Sequence, residues 1–295
     1  MRTFRITLSH GSEGVTFHGA GARSGSMFHV RRDAIEGLWS SPASKVSLTE
    51  RETANGASPI SDGETLYAAR TVVIPFAIQS NYNHTDLIRA RILLGRLIGW
   101  HDVRMDINDD SDETVLQGYI EAKYSDIPYD HADTGTITLV CPDPRRVSKN
   151  ASTVTLNTSS SSLGGLSFST SNAGLVFPIN FGQTGNTGNT GMIVNNGSYV
   201  STPVITAHGG LNSGLTIHWN TSDGNEGDLS YKGSIQNVPV TINTDTHSAI
   251  MGGLDVSYQL GSRDWPRIPA GGSCSFALLA SGSGWVTVQS HDTYM

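Results

Sequence analysis

The residues most suggestive of metal chemistry are Asp106, Asn108 and Asp110, whose alternate spacing matches the first three ligands of an EF-hand loop. The rest of that loop fails. Ser111 occupies the place of the turn glycine and Gln117 that of the bidentate glutamate, and the flanks 103–107 and 114–120 are strand-like rather than helical. A solvated hairpin turn is therefore favoured over a calcium site. Nucleophilic hydrolysis needs a serine or cysteine beside a base and an orienting acid. Gly282-Ser283-Gly284 shares only its letters with a nucleophile elbow, because it turns into a strand and not a helix. The 10 histidines are scattered without a His-x-x-x-His pair, and His18, His29 and His101 read as ordinary polar positions. Glycosidic cleavage needs two carboxylates across a cleft. The second half has one glutamate, Glu226, within Asp223-Gly224-Asn225-Glu226-Gly227-Asp228, which reads as a loop. Cys141 and Cys274 have no CxxC partner and form neither a disulfide framework nor a zinc site. No catalytic, cofactor or metal residue is assigned. The remaining candidates are aromatic: Trp219, Trp265 and Trp285, with Tyr199 and Tyr231, offer stacking surfaces for sugar rings. Filling a sandwich core or its rim, or a protein interface, is an equally physical use of the same side chains.

Composition narrows the classes further. The chain has 295 residues, Lys+Arg 19 against Asp+Glu 26, a net charge of -7 and 33 glycines. That length suits roughly two domains of about 150 residues. Low charge with aromatics present is not the profile of a disordered chain. A net acidic protein is a poor phosphate binder, so sequence-specific nucleic-acid binding is not expected. No apolar window is long enough for a membrane span, and the opening residues carry no apolar signal segment, so Sec-type export is not expected. Five Asn-x-Ser/Thr sequons, at Asn83, Asn150, Asn157, Asn196 and Asn220, are what a chain rich in these residues produces by chance.

The two halves differ. Residues 1–150 hold 16 basic and 19 acidic side chains, whereas residues 151–295 hold 3 and 7. The predicted division is a domain over 1–148, a flexible Ser/Thr/Gly connector over 149–171 and a second domain over 172–295. A further low-complexity run over 182–191 reads as a surface loop. In the first half, alternation over Phe4, Ile6, Leu8, Val15 and Phe17 predicts an opening hairpin. A short β-branched strand follows over 70–78, its Pro75 favouring an edge or a bulge. One helix is predicted over 86–98, with Thr85 as N-cap and Gly99 as its stop. Leu87, Ile88, Ile92, Leu93, Leu94, Leu97 and Ile98 cover most of its circumference, so it should be buried against a sheet or a neighbouring subunit. The second half has no helical period. Short strands over 174–179, 203–207, 215–219, 238–242, 254–258, 273–279 and 284–288 predict a β-sandwich or jelly roll of about 110–130 residues.

Several segments in order resemble the distal tail protein family of long-tailed, siphovirus-type bacteriophages. They are the opening strands Phe4 to Phe17, the single helix inside a β domain, and the exit Thr138-Leu139-Val140-Cys141-Pro142-Asp143-Pro144-Arg145. Next comes Asn195-Asn196-Gly197-Ser198-Tyr199-Val200-Ser201-Thr202-Pro203-Val204-Ile205-Thr206-Ala207, similar to the family's Asn-x-Gly…Thr-Pro-x-Ile pattern. Last is Asp264-Trp265-Pro266-Arg267-Ile268-Pro269-Ala270-Gly271-Gly272, similar to its Trp-x-x-Leu-x-Pro-Gly turn, with Gly272 where the family usually has asparagine. The resemblance implies a mainly β chain: an N-terminal belt domain with one buried helix, then a galectin-like or jelly-roll sandwich. It implies no enzyme and no cofactor. It also implies a homohexameric ring at the virion tail tip, assembled in the host cytoplasm, that joins the tail tube protein to the tape-measure protein and the central tail-hub protein and lets DNA pass.

Overall fold

The computed structural model describes residues 4–19, 26–31, 33, 35–57, 65–80, 83–110, 112–125, 132–158 and 188–295. The strand expected over 174–179 lies outside them. The chain divides into two compact units, Met1–Lys149 together with Tyr294–Met295, and Asn150–Thr293.

The first unit is built from β1 (Phe4–His10), β2 (Glu13–His18), β3 (Phe28–Val30), β4 (Arg70–Gln79), α1 (His84–Ile98), β5 (Val103–Asp109), β6 (Asp112–Tyr124), β7 (Ala132–Cys141) and β8 (Arg146–Ser148). Seven strands close on themselves in the order β6-β5-β1-β2-β3-β4-β7 and back to β6. Neighbours are antiparallel except β2 and β3. Period-two alternation turns Ile6, Leu8, Val15, Phe17, Val72, Ile74, Met105, Ile107, Ile137 and Leu139 into one core, which Leu87, Ala90, Leu94 and Leu97 of α1 join. β6 closes the barrel by changing partners: Asp112 to Gly118 pair with β5, and Tyr119 to Tyr124 with β7. A Cβ at Gly118 would stand 2.1 Å from the Val140 carbonyl oxygen, so only glycine fits this seam.

Pro75 is not at an edge, as its type suggested. β4 runs between β3 and β7, with Pro75 opposite Thr136. The amide of Arg31 donates to the Pro75 carbonyl (2.9 Å), and Pro75 has no N–H to return. The proline sits just past the end of the three-residue β3, so the cost is limited to the single return bond toward Arg31.

The second unit begins with β9 (Ser152–Asn157), inside the stretch expected as a connector. Thr153 and Thr155 alternate with Val154 and Leu156, a strand signal masked by the serine-rich residues beyond. The later strands are β10 (Thr190–Val194), β11 (Val204–Ala207), β12 (Leu215–Thr221), β13 (Glu226–Tyr231), β14 (Val240–Asn243), β15 (Ser248–Met251), β16 (Leu254–Asp255), β17 (Leu260–Arg263), β18 (Ser273–Leu279) and β19 (Trp285–Ser290), whereas the last strand, β20 (Thr293–Tyr294), belongs with β8 to the barrel's own sheet. A five-stranded sheet, β10-β18-β12-β13-β17, and a six-stranded sheet, β16-β15-β14-β11-β19-β9, make a sandwich. Ile217, Trp219, Leu229, Tyr231, Phe276 and Leu278 of the first sheet share one core with Ile205, Ala207, Val240, Ile242, Val286 and Val288 of the second. Two local expectations change. Residues 254–258 form the two-residue β16 and then a 3-10 turn over Ser257–Gln259, and Glu226 to Asp228 open β13 and are not loop.

Asn195 joins the two C-terminal segments on which the family resemblance rests. Its buried amide donates to the carbonyls of Tyr199 (2.7 Å), Pro269 (3.2 Å) and Ile268 (3.3 Å). Its Oδ1 accepts from the amides of Gly197 (3.0 Å) and Thr293 (3.2 Å). Asn195→Ala strands several buried backbone groups at once, and should destabilise the second unit by about 2–4 kcal/mol in chemical denaturation. A loss under 0.5 kcal/mol would contradict this account.

Both cysteines are free and buried. Burial pushes each thiol up to about 12. Burial and the scarcity of thiolate together mean that neither should react with a soluble disulfide reagent at pH 8 in the folded protein, and both should react after denaturation.

Candidate functional site

The first unit presents one distinctive surface. The α1 N-cap is Asn83 rather than Thr85: the Asn83 side chain accepts from the Thr85 amide (3.0 Å) and its amide donates to Asp86 (2.7 Å). Two cap-type residues lie two positions apart here, and the extended backbone of Asn83 decides between them. The helix buries Leu87, Ala90, Leu94 and Leu97 and leaves the opposite side open, with Ile88 41% and Ile92 53% exposed. Ile88, Ile92, Gly95 and Gly99 follow the i, i+4, i+7, i+11 spacing of one helical stripe. A Cβ at Gly95 or Gly99 would meet nothing within 4 Å. Nothing among the described residues crowds Gly95, although glycine costs about 1 kcal/mol relative to alanine inside a helix. Arg89 and Arg96 flank the stripe, paired with Asp86 (3.3 Å) and Glu13 (3.1 Å).

The orientation of that stripe is fixed by polar locks. Arg91 grips both carboxylate oxygens of the buried Asp133 on β7, through Nε–Oδ2 and through Nη2–Oδ1 at 2.6 Å. The hydrogen bond to Asp133 raises the Arg91 guanidinium above its ordinary value. Beyond the helix C-terminus, His10 Nδ1 lies 3.0 Å from Asp102 Oδ1, and its ring stacks on Trp100 at 4.1 Å. The helix is therefore pinned at its middle by the Arg91–Asp133 pair and near its end by Arg96–Glu13 and the His10–Trp100 stack.

Buried Arg70 is a second internal clamp. Its Nε donates to the Pro144 carbonyl (2.7 Å), and Nη1 to those of Gly37 (2.7 Å), Ser40 (2.7 Å) and Leu38 (3.3 Å). Burial lowers its pKa, and the nearby Arg146 lowers it further.

The acidic stretch after β5 is a hairpin turn. Asp109 and Asp112 are cross-strand partners, and Asp110 adopts φ 57 between them. Asp106 pairs with Arg104 (2.9 Å), Asn108 donates to Glu113, and Lys149 reaches Glu113 at 3.2 Å. Lys149 and Asn108 hold the Glu113 carboxyl below its usual range. Among the described residues no group of three or more His, Cys, Asp or Glu is placed to hold a metal ion. His18 and His29 are register partners on β2 and β3, and burial lowers the His18 pKa. No helix among the described residues is long and apolar enough to cross a membrane.

The three tryptophans proposed for sugar stacking occupy different settings. Trp219 is 7% exposed, and its indole N–H donates to the Asp264 carbonyl (2.9 Å). Trp265 packs against the same core and stacks on His247 at 4.5 Å. Trp285, 42% exposed, stands on the outer face of the six-stranded sheet, stacked on His208 at 4.9 Å and 12°. Tyr231 is a core residue. The residue types were visible in the sequence, but the side of the strand on which each falls was not.

No protein-family model matches this sequence, and no curated protein matches it. Its fold matches solved structures over nearly the whole chain. The Dit (gp 19.1) protein of SPP1, described as a paradigm of the hub adsorption apparatus in phages infecting Gram-positive hosts, aligns over 98% of this chain and 99% of its own. The TM-score is 0.62 at 13% identity. A chain of the phage P2 baseplate in its activated conformation aligns over 98% of both chains, with TM-scores of 0.51 in the calcium form and 0.53 in the strontium form, at 10% identity. Hub and baseplate chains of phages are what the distal-tail resemblance points to, and the fold is theirs.

Proposed function

We propose that this chain is a structural subunit of a phage tail tip, and that copies of it form a ring joining the tail tube to the tip proteins. The exposed apolar stripe of α1 carries the reading. It lies on a helix pinned in place, and it contains a glycine whose only structural return is close approach by another chain. A head-to-tail contact that repeats on every copy closes into a ring when its rotation is a whole fraction of a turn. Six copies, a tube protein, a tape-measure protein and a central hub protein are the assembly the resemblance implies, in a virion built in the host cytoplasm. Passage of DNA through such a ring fits the charge balance, since residues 1–150 and 151–295 carry net charges of -3 and -4 and neither attracts phosphates. The role is structural, without catalysis.

Light scattering of the purified full chain, with electron microscopy of the same sample, tests this. A closed multimer with a central hole is expected. A strict monomer at micromolar concentration, absent from tail particles, would sink the reading.

A further inference from the structure

We infer that the outer face of the six-stranded sheet is a binding surface for a neutral polysaccharide, with Trp285 as its stacking platform. Strand register carries the inference. Thr155, Thr287, Thr206 and Thr241 are successive cross-strand partners on β9, β19, β11 and β14, so four threonines form one row across the sheet, with Ile250 of β15 next in line. The row on one side reads Thr153, Gln289, Val204, Asn243 and Ser248. On the other side Asn157 pairs with Trp285, and His208 stacks on the indole. All of these side chains are exposed or half-buried.

Across five strands the described side chains of this face are hydroxyls, amides, Val204, Ile250, His208 and one aromatic platform, with no carboxylate, ammonium or guanidinium among them; Asp255, at the far edge, ends the threonine row. A solvated sheet face ordinarily carries charge, as the sandwich's other sheet does: there His218 Nδ1 lies 2.9 Å from Asp228 Oδ1. A protein partner would be met with several aromatics, methionines or arginines, which this face lacks. A polyhydroxylated neutral chain needs what is present: alternating donors and acceptors, and an indole against which the C–H face of a sugar ring can lie. Adjacent strands are about 4.8 Å apart. That spacing is close to the advance per ring of an extended pyranose chain, so a glycan running across the strands sets successive rings over successive threonines. The His208 imidazole lies nearly parallel to the indole and covers one of its faces, so the sugar would take the other. Thr287 Oγ1 lies 3.4 Å from His208 Nε2, tying the platform to the row.

The inference is independent of the ring reading, and the test keeps the two apart. The full chain is run in native gels cast with a soluble neutral β-glucan, a galactomannan or a galactan, with dextran sulfate as the anionic control. Retardation is expected in at least one neutral polymer, weakened roughly tenfold or more by Trp285→Ala and abolished by Thr206→Lys with Thr241→Lys. The lysines sit on the open face, where they should leave the unfolding midpoint and the mass by light scattering unchanged. No retardation in any neutral polymer, retardation only in dextran sulfate, or retardation that survives both sets of substitutions overturns the inference.

Discussion

Replacing Arg70 by methionine should lower the unfolding free energy of the first unit by about 3–5 kcal/mol. Arg70 is 2% exposed, and its guanidinium supplies four bonds to the carbonyls of Gly37, Leu38, Ser40 and Pro144. Methionine keeps most of the stem volume and removes all the donors, so the loss is electrostatic and not a cavity effect. Each stranded buried carbonyl costs about 1–3 kcal/mol, partly recovered by relaxation and entering water. Lysine should rescue little, because one ammonium cannot reproduce the planar fork that spans these acceptors. Calorimetry of the full chain reads the change as a fall in the first unit's transition with the second unit's unmoved. A shift under 1 kcal/mol would mean that the loop over 37–40 does not depend on the clamp.

The second large effect concerns assembly. Ile92→Glu places a carboxylate at the centre of the exposed stripe of α1, where Ile92 is 53% exposed. Folding should be unchanged, since glutamate is a good helix former at an exposed site. Burying a carboxylate in an apolar intersubunit contact should weaken association by at least 100-fold, about 2.7 kcal/mol. The expected result is a folded monomer by light scattering, with wild-type far-UV circular dichroism and thermal midpoint. Gly95→Leu, which fills the same groove with an apolar group, should weaken the assembly through bulk alone. Multimers that survive both changes would place the ring contact elsewhere on the unit.

How much of this was legible beforehand depended on whether the deciding signal was local. The strands around Ile6, Val72, Met105 and Ile137 were legible because alternation is written into four or five consecutive residues. The helix was legible too, and its largely apolar circumference pointed to burial against a sheet or a neighbouring subunit. Only the fold separates the buried Leu87–Leu94 side from the open Ile88–Ile92 side, because the barrel covers one face alone. Arg70 was invisible as a clamp: its partners are backbone carbonyls, which no side-chain pattern encodes. Asn195 stood inside a motif, yet its role depends on Ile268 and Pro269, far along the chain. The neutral face of the sandwich was hidden for a related reason. Its threonines lie on four separate strands and become neighbours only once register is set.

The closed barrel also bears on how the chain acquires its structure. β1 takes β2 as a neighbour after a short turn, but its other edge waits for β5, whose Asp109 pairs with Phe4. β4 likewise waits for β7, and the seam at Gly118 joins only when β7 is in place. Almost every closing contact is distant in sequence, so loop entropy must be overcome before pairing rewards it. Stopped-flow refolding should therefore run in milliseconds to seconds, and not in the microseconds of helical bundles. During synthesis the early strands remain open-edged until Cys141 has emerged, and in that interval a nascent subunit is most exposed to mispairing with its neighbours.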